Sequence, residues 1–131
     1  MILLLLMLAV ADPPDVAARE TVAVLAGAMA ENNAEKFLAY VSPELKSAME
    51  ADLRALLLLH EITSSISPLS NEGDDKKRSL ELDWYVEIRA RGNEMAIERR
   101  RKNVRCVVEK NAKRRWVVTA VTPTDFFSPP K

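Results

Sequence analysis

The hydrophobic residues of this chain change their spacing once, near His60. Before that point apolar residues recur every three or four positions, as in Val22 and Leu25. After it they alternate with polar residues, as in Leu82 and Trp84. The first spacing is typical of helices with one buried side, and the second of strands with one buried face. Because all the helical signals precede the strand signals, the sequence predicts an α+β domain in which helices pack on one face of an antiparallel sheet.

The length and charge of the chain narrow the possible functions. Its 131 residues suffice for a single domain with its own core, and 19 Lys or Arg balance 19 Asp or Glu. A chain without an overall positive field has no general attraction for nucleic acid, so we do not expect nucleic acid as a partner. No motif for a metal, a cofactor or a catalytic centre occurs in the sequence, so we name no metal ligand, cofactor or catalytic residue.

An unbroken apolar run, Ile2–Val10, stands at the amino terminus and is followed by Ala11, Asp12 and two prolines. This pattern is typical of the hydrophobic segment and cleavage site of a secretory signal. The run is much shorter than the roughly 20 residues that cross a bilayer as a helix, so we expect no stable membrane insertion. We interpret residues 1–11 as a signal peptide and 12–131 as one secreted or periplasmic domain; the alternative is a hydrophobic segment packed on that domain.

Three helices are predicted, over residues 13–31, 34–41 and 43–60. Asp12, Asn33 and Ser42 stand where their side chains can cap the first turns, and prolines follow Asp12 and Ser42. His60 closes the third helix, where a histidine interacts favourably with the helix dipole.

Four strands of a meander sheet are predicted after His60. The first is a short strand over 61–68, which Pro68 ends or confines to a sheet edge, followed by a loop over 70–77. A tight hairpin with Gly92 and Asn93 at its tip joins the second and third strands. Continued without interruption, its register would set apolar side chains opposite polar ones.

A β-bulge corrects that register. One extra residue within 98–101 restores the apolar pairs Leu82 with Val104 and Leu80 with Cys106. The sequence therefore predicts a bulge in this stretch.

A three-residue loop over 111–113 then pairs Cys106 with Val118 and Val108 with Trp116 on the buried face. Cys106, the single cysteine, is expected to be a small core residue and not a nucleophile. The opposite face receives three valines: Val107, Val117 and Val121. So many apolar residues on an outer face favour a covered sheet, for example a homodimer interface.

Nine Lys or Arg and two Glu lie between Glu98 and Arg115. Acidic residues on the neighbouring strand predict that most of these cations form cross-strand ion pairs. One alternative is that the hairpin formed by this basic stretch binds an acidic protein or a polyanion. Another is that the bulge sets Arg100 opposite Val86 and Lys102 opposite Trp84, at the edge of the apolar core.

Cations beside an apolar wall suit an anionic small ligand. The candidate ligand-binding residues are Trp84, Arg100, Lys102 and His60.

The order of elements resembles the nuclear transport factor 2-like superfamily, which has a cystatin-like fold. The likeness spans about residues 12–127 and is carried by the short helix reading Asn-Ala-Glu-Lys-Phe-Leu from Asn33, the last strand at 116–121 and the proline-rich ending at 123–130. It implies a bent sheet that wraps around the helices as a cone with a pocket, and dimers through the sheet. The small hairpin that the family has between the second and third helices is missing.

Enzymes of that superfamily use Asp, His and Tyr side chains in the pocket. Here the candidates are His60, Asp83 and Tyr85, and the last two alternate with residues expected to be buried, so they should point away from a pocket. We therefore expect a non-catalytic domain that binds a small molecule or a protein partner and forms a homodimer. The alternative is an isomerase, cyclase or dehydratase.

Overall fold

The computed structural model describes residues 12–93 and 95–130. The proposed signal peptide and Glu94 of the predicted hairpin lie outside the described residues. Three helices are followed by four strands and a short 3₁₀ helix: α1 (Pro14–Ala30), α2 (Ala34–Leu38), α3 (Pro43–Leu59), β1 (His60–Gly73), β2 (Lys77–Ala90), β3 (Ala96–Lys110), β4 (Trp116–Thr122) and the C-terminal 3₁₀ helix (Thr124–Phe127).

The helix starts follow the predicted signals in two of three cases. The Asn33 side chain accepts a hydrogen bond from the Lys36 N–H, and the Ser42 hydroxyl accepts one from the Leu45 N–H. The predicted Asp12 cap is wrong, because Pro13 is the N-cap of α1 and no side chain caps that helix. Pro14 fills the first helical position, where a missing N–H costs nothing.

The four strands form one antiparallel sheet in the order β1-β2-β3-β4, which confirms the predicted meander. β1 is longer than predicted, since it continues through Pro68 to Gly73 with Leu69 as an extra, exposed residue at a bulge. Because β1 is an edge strand, a proline without an N–H can stay within it. The predicted loop over 70–77 is correspondingly reduced to residues 74–76.

The register between β2 and β3 is the predicted one along most of its length. Leu82 pairs with Val104 and Leu80 with Cys106. The bulge lies at Ile97, one residue before the predicted stretch, because Ile88 pairs with Glu98 while the next residue of β2 pairs with Ala96.

The turn between β3 and β4 contradicts the predicted three-residue loop. Lys110 pairs with Trp116, so five residues form the turn. The Asn111 side-chain oxygen accepts the N–H groups of Lys113 and Arg115, and Arg114 has a positive φ of 61°. The asparagine side chain thus stabilises a wider turn than residue spacing suggested.

A third bulge, with Thr119 of β4 as the extra residue opposite Val107 and Val108, changes which residues of β4 are buried. Cys106 pairs with Val121, which is buried in the core and not on the outer face as predicted. Ala120 is exposed. The outer face therefore has less apolar surface than expected.

The helices pack on the face of the sheet that carries Leu82 and Trp84, here called the inner face. Cys106 is fully buried there, as predicted, and Trp116 is partly buried against the core. These contacts confirm the α+β arrangement of N-terminal helices on a four-stranded antiparallel sheet. Within the described residues, no helix combines the length and the apolar character needed to cross a membrane.

Candidate functional site

The C-terminal 3₁₀ helix occupies the inner face of the sheet. Phe126 and Phe127 are 3% and 1% exposed. Their ring centroids lie 5.9 and 5.2 Å from that of Trp84, and the Phe127 ring lies 5.6 Å from Phe37. Tilted and edge-to-face arrangements at such distances are favourable aromatic contacts. Hydrophobic periodicity does not place this segment, although two adjacent phenylalanines beyond the last strand are a signal that it is buried.

Two polar contacts fix this segment to the rest of the domain. Arg100 Nη1 donates a hydrogen bond to the Phe126 carbonyl at 2.8 Å, and the same guanidinium forms an ion pair with Glu98. On the other side, the Ser128 hydroxyl donates to an Asp52 carboxylate oxygen at 3.1 Å. The segment therefore joins β3 to α3.

A cleft of about 660 Å³ lies beside this segment. Its walls come from β3, α3 and the C-terminal segment: Asp52, Glu98, Arg99, Arg100, Lys102, Pro123, Asp125, Phe126, Ser128 and Pro129. Lys102 pairs with Trp84 in the register but is itself exposed, and it forms no ion pair within the described residues. Its ammonium group is thus available to a ligand in the cleft.

The structure brings together two of the four predicted ligand-binding residues. Arg100 and Lys102 both line the cleft. Trp84 lies beneath the phenylalanines, fully buried, and its indole N–H donates to the Ser64 hydroxyl at 2.9 Å. His60 follows α3, does not line the cleft, and its Nδ1 lies 2.9 Å from the Leu56 carbonyl oxygen.

The side chains of Asp83 and Tyr85 lie on the opposite, outer face, as their alternation predicts. Arg101 donates to both oxygens of Asp83, from Nη2 at 2.7 Å and from Nε at 3.0 and 3.2 Å, and this contact lowers the pKa of the carboxyl group. The Tyr85 hydroxyl donates to Glu87 at 2.9 Å. Partial burial is the main cause that raises the pKa of the phenol, and the hydrogen bond to Glu87 is the next.

Cross-strand ion pairs cover this outer face, as predicted. Besides Asp83 with Arg101, Glu87 contacts Arg99 at 3.0 Å, and Glu81 lies 4.0 Å from Arg105. Exposed pairs of this kind add little stability each, but they neutralise much of the basic stretch.

The described residues hold no cluster of three or more His, Cys, Asp or Glu side chains arranged to bind a metal ion. Burial raises the pKa of the Cys106 thiol to about 12, so the sulfur is protonated at neutral pH. A protonated, buried thiol is a poor nucleophile, in agreement with its expected role in the core.

Comparison with known proteins shows the fold. No family model matches the chain, and no curated protein matches its sequence. A conserved protein from Planctomyces limnophilus is similar in structure, with a TM-score of 0.66 and 9% identity over 81% of this chain and 91% of that one. A protein of unknown function with a cystatin-like fold, from Nostoc punctiforme, has a TM-score of 0.58 and 15% identity over 81% and 86% of the two chains.

A third similar structure contains a small molecule. A protein from Catenulispora acidiphila, solved in complex with S-DNPA, has a TM-score of 0.54 and 12% identity over 81% of this chain and 88% of that one. Likeness at these identities concerns the fold alone. The chain thus shares the arrangement of a cystatin-like fold.

Proposed function

We propose that this chain is an exported, non-catalytic binding domain of the nuclear transport factor 2-like superfamily, and that it binds a small anionic molecule in the cleft beside its C-terminal segment. The observation that carries the proposal is the position of Phe126 and Phe127. They occupy the inner face of the sheet and leave an open cleft, with both apolar and charged walls, that Lys102 lines.

Catalysis of the isomerase or cyclase kind is the weaker alternative. Such a reaction needs an acid or base facing an enclosed substrate. The candidate groups Asp83 and Tyr85 lie on the outer face, and the Nδ1 atom of His60 is occupied by a backbone carbonyl. Packed phenylalanine rings take the place of a substrate on the inner face.

The cleft walls favour a ligand with one anionic group on an apolar body. Lys102 supplies a cation that forms no ion pair with a described residue, whereas Arg100 is already engaged by Glu98 and a backbone carbonyl. The lining as a whole carries three carboxylates against three cations, so Lys102 alone is the proposed anchor for the anionic group. Two prolines and the edge of Phe126 supply apolar contacts. The S-DNPA complex of the Catenulispora acidiphila protein supports small-molecule binding by this fold.

A paired titration tests this proposal. In ¹H–¹⁵N correlation spectra, 2-naphthoate should shift the amides of Lys102, Phe126 and Ser128 in a saturable way. Its neutral counterpart 2-naphthamide should bind about fivefold more weakly, which is the upper range for one exposed ion pair. Lys102→Ala should remove the difference, and Lys46→Ala, at an exposed lysine of α3, should keep it.

Three results would count against the anionic ligand: no shift at either compound's solubility limit, equal binding of both compounds, or an unchanged preference in Lys102→Ala. We would then propose that the domain binds a protein partner in place of a small molecule, and cross-linking in the native host would test this.

Export and dimerisation belong to the same proposal. The apolar run Ile2–Val10 supports export, and mass spectrometry of protein secreted by its host should show a mature chain that begins near Asp12. Val107 remains half-buried on the outer face and supports a dimer through the sheet, whereas Val117 is already buried within the described domain. Light scattering coupled to size exclusion should give twice the monomer mass; a monomer would refute this part alone.

A further inference from the structure

The cations of the described chain fall into two groups. One group forms ion pairs and lies on α2, α3, β2 and β3: Lys36, Arg54, Arg89, Arg99, Arg100, Arg101 and Arg105. The other group includes the last residue of β3 and three residues of the turn that follows it: Lys110, Lys113, Arg114 and Arg115. None of these four forms an ion pair with a described residue.

The segment 109–115, which contains these four cations and Glu109, is here called the basic hairpin. It holds four cations and one carboxylate, a net charge of +3. The carboxylate of Glu109 accepts a hydrogen bond from the Thr119 hydroxyl at 2.6 Å, on the strand side of the turn. The positive charge at the tip of the hairpin is therefore not neutralised within the described structure.

The neighbouring turn between β1 and β2 adds no net charge. It touches the basic hairpin through the Lys110 N–H, which donates to the Lys76 carbonyl at 2.8 Å. Its acids and bases are equal in number: Glu72, Asp74 and Asp75 against Lys76, Lys77 and Arg78. One oxygen of Asp74 accepts the backbone N–H groups of Lys76 and Lys77, so that carboxylate is directed at its own turn.

Two aromatic rings lie directly behind the basic hairpin. The Lys110 ammonium is 5.5 Å from the centre of the Trp116 ring, and the Arg115 guanidinium carbon is 5.9 Å from the centre of the Tyr40 ring. Both rings are half-buried, and they border a shallow depression of about 330 Å³. Trp and Tyr at a boundary between apolar and aqueous surroundings, next to Lys and Arg, are typical of protein surfaces that meet lipid headgroups.

The start of α1 lies at the same end of the domain. The Asn71 amide donates to the Asp15 carbonyl, which places the first turn of α1 beside the β1–β2 turn. Ala17 shares the 330 Å³ depression with Arg115 and Trp116. The start of α1, the basic hairpin and the two aromatic rings therefore lie at one end of the domain.

We propose that the basic hairpin docks the protein on an anionic phospholipid surface, with Lys113 and Arg114 toward the headgroups and Tyr40 and Trp116 behind them. This proposal does not depend on the ligand proposed for the 660 Å³ cleft. The cleft residues Arg100 and Lys102 are not part of the basic hairpin, and they do not line the 330 Å³ depression. Binding is electrostatic and peripheral, and no part of the described domain inserts across the bilayer.

Vesicle binding of the mature domain, which begins near Asp12, tests this proposal. Partition onto phosphatidylcholine vesicles reports contacts that need no lipid charge, and the additional partition when about 30% of the lipid is phosphatidylglycerol reports the cations. In the variant Lys113→Gln/Arg114→Gln, partition onto the anionic vesicles should fall about thirtyfold, with little change on neutral ones. The control Lys36→Gln/Lys46→Gln removes two exposed helix cations and should bind like wild type.

Salt gives a second measurement that needs no variant. The anionic-lipid increment of the wild type should disappear when the ionic strength rises from about 50 to about 500 mM. Near-ultraviolet circular dichroism confirms that each variant is folded. Equal binding to both vesicle types, or equal losses in the two variants, would overturn the proposal. Tighter retention on heparin than on the anionic vesicles would also overturn it and would indicate a polyanionic partner.

Discussion

The guanidinium of Arg100 donates a hydrogen bond to the carbonyl oxygen of Phe126 at 2.8 Å and so ties the third strand to the C-terminal 3₁₀ helix. This contact lies at the boundary between the buried aromatic cluster and the open cleft. Arg100 therefore holds the C-terminal 3₁₀ helix on the inner face and also lines the candidate site. The C-terminal segment is consequently part of the folded core.

Replacement of Phe127 by alanine should therefore destabilise the whole domain. The ring is 1% exposed and contacts Trp84 and Phe37, and truncation of such a buried phenylalanine costs about 3–5 kcal/mol. Urea denaturation followed by tryptophan fluorescence measures the loss. Leu58→Ala, at a leucine that is 70% exposed, should change the free energy of unfolding by less than about 0.5 kcal/mol. A loss below about 1 kcal/mol for Phe127→Ala would show that the segment is loosely attached.

Asn32 should contribute to stability in two separable ways. Its backbone has a φ of 54°, and its side-chain amide donates to the carbonyls of Leu57 and His60 at 2.9 and 2.5 Å, joining the ends of α1 and α3. Asn32→Gly keeps the backbone conformation and removes both hydrogen bonds, so we expect a loss of about 2 kcal/mol.

Asn32→Ala removes the same hydrogen bonds and adds the cost of a left-handed alanine, for a further loss of about 1 kcal/mol. Chemical denaturation of the three proteins in parallel gives both differences. A glycine variant as stable as wild type would mean that the two hydrogen bonds contribute nothing, and equal stability of the two variants would mean that the positive φ has no cost.

Much of the fold could be predicted because its signals are local. Asn33 and Ser42 cap their helices through bonds that span three residues, and alternation alone identifies the inner face of β2. The register of β2 on β3 followed from the need to pair Leu82 with Val104. Each of these inferences uses a contact whose partners the sequence pattern names directly.

The errors occur where one side chain or a distant surface decides the conformation. Asn111 holds a five-residue turn that residue spacing cannot distinguish from a shorter one, and this moved the register of β4. Phe126 and Phe127 follow the last strand without any periodicity, and their place depends on the space left between α3 and the sheet. Alternation along β3 was enough to place Arg100 and Lys102 on the inner face. The cleft beside them depends on where the C-terminal segment packs, so the sequence did not predict it.

Cys106 should be inert in the folded protein. Burial raises its pKa to about 12, so the thiol stays protonated, and the side chain has no exposed surface. At about pH 8, where an exposed thiol reacts readily, Ellman's reagent should modify native protein only as fast as the domain unfolds. Rapid modification of one thiol per chain after denaturation is the control. Rapid modification of the native protein would show that β3 opens locally near Cys106.

The pair of Arg101 and Asp83 should give part of the acid sensitivity of the domain. The hydrogen bonds from Arg101 lower the pKa of Asp83 below its usual 3.8 in the folded state. A carboxyl group with a lowered folded pKa binds protons more tightly when unfolded, so its stabilising effect is present above about pH 3.8 and is lost as the pH falls through the folded pKa.

In Arg101→Gln the Asp83 pKa should rise toward 3.8, as measured by carbon-detected NMR titration of the side-chain carboxyl. The difference in free energy of unfolding between wild type and variant should be present near neutral pH and shrink as the pH drops below that value. Arg105→Gln is the matched control, because that guanidinium lies 4.0 Å from Glu81 and belongs to the next pair along the same strands. If the Asp83 pKa moved equally in both variants, the shift would arise from the general positive field of β3 and not from its direct contact with Arg101.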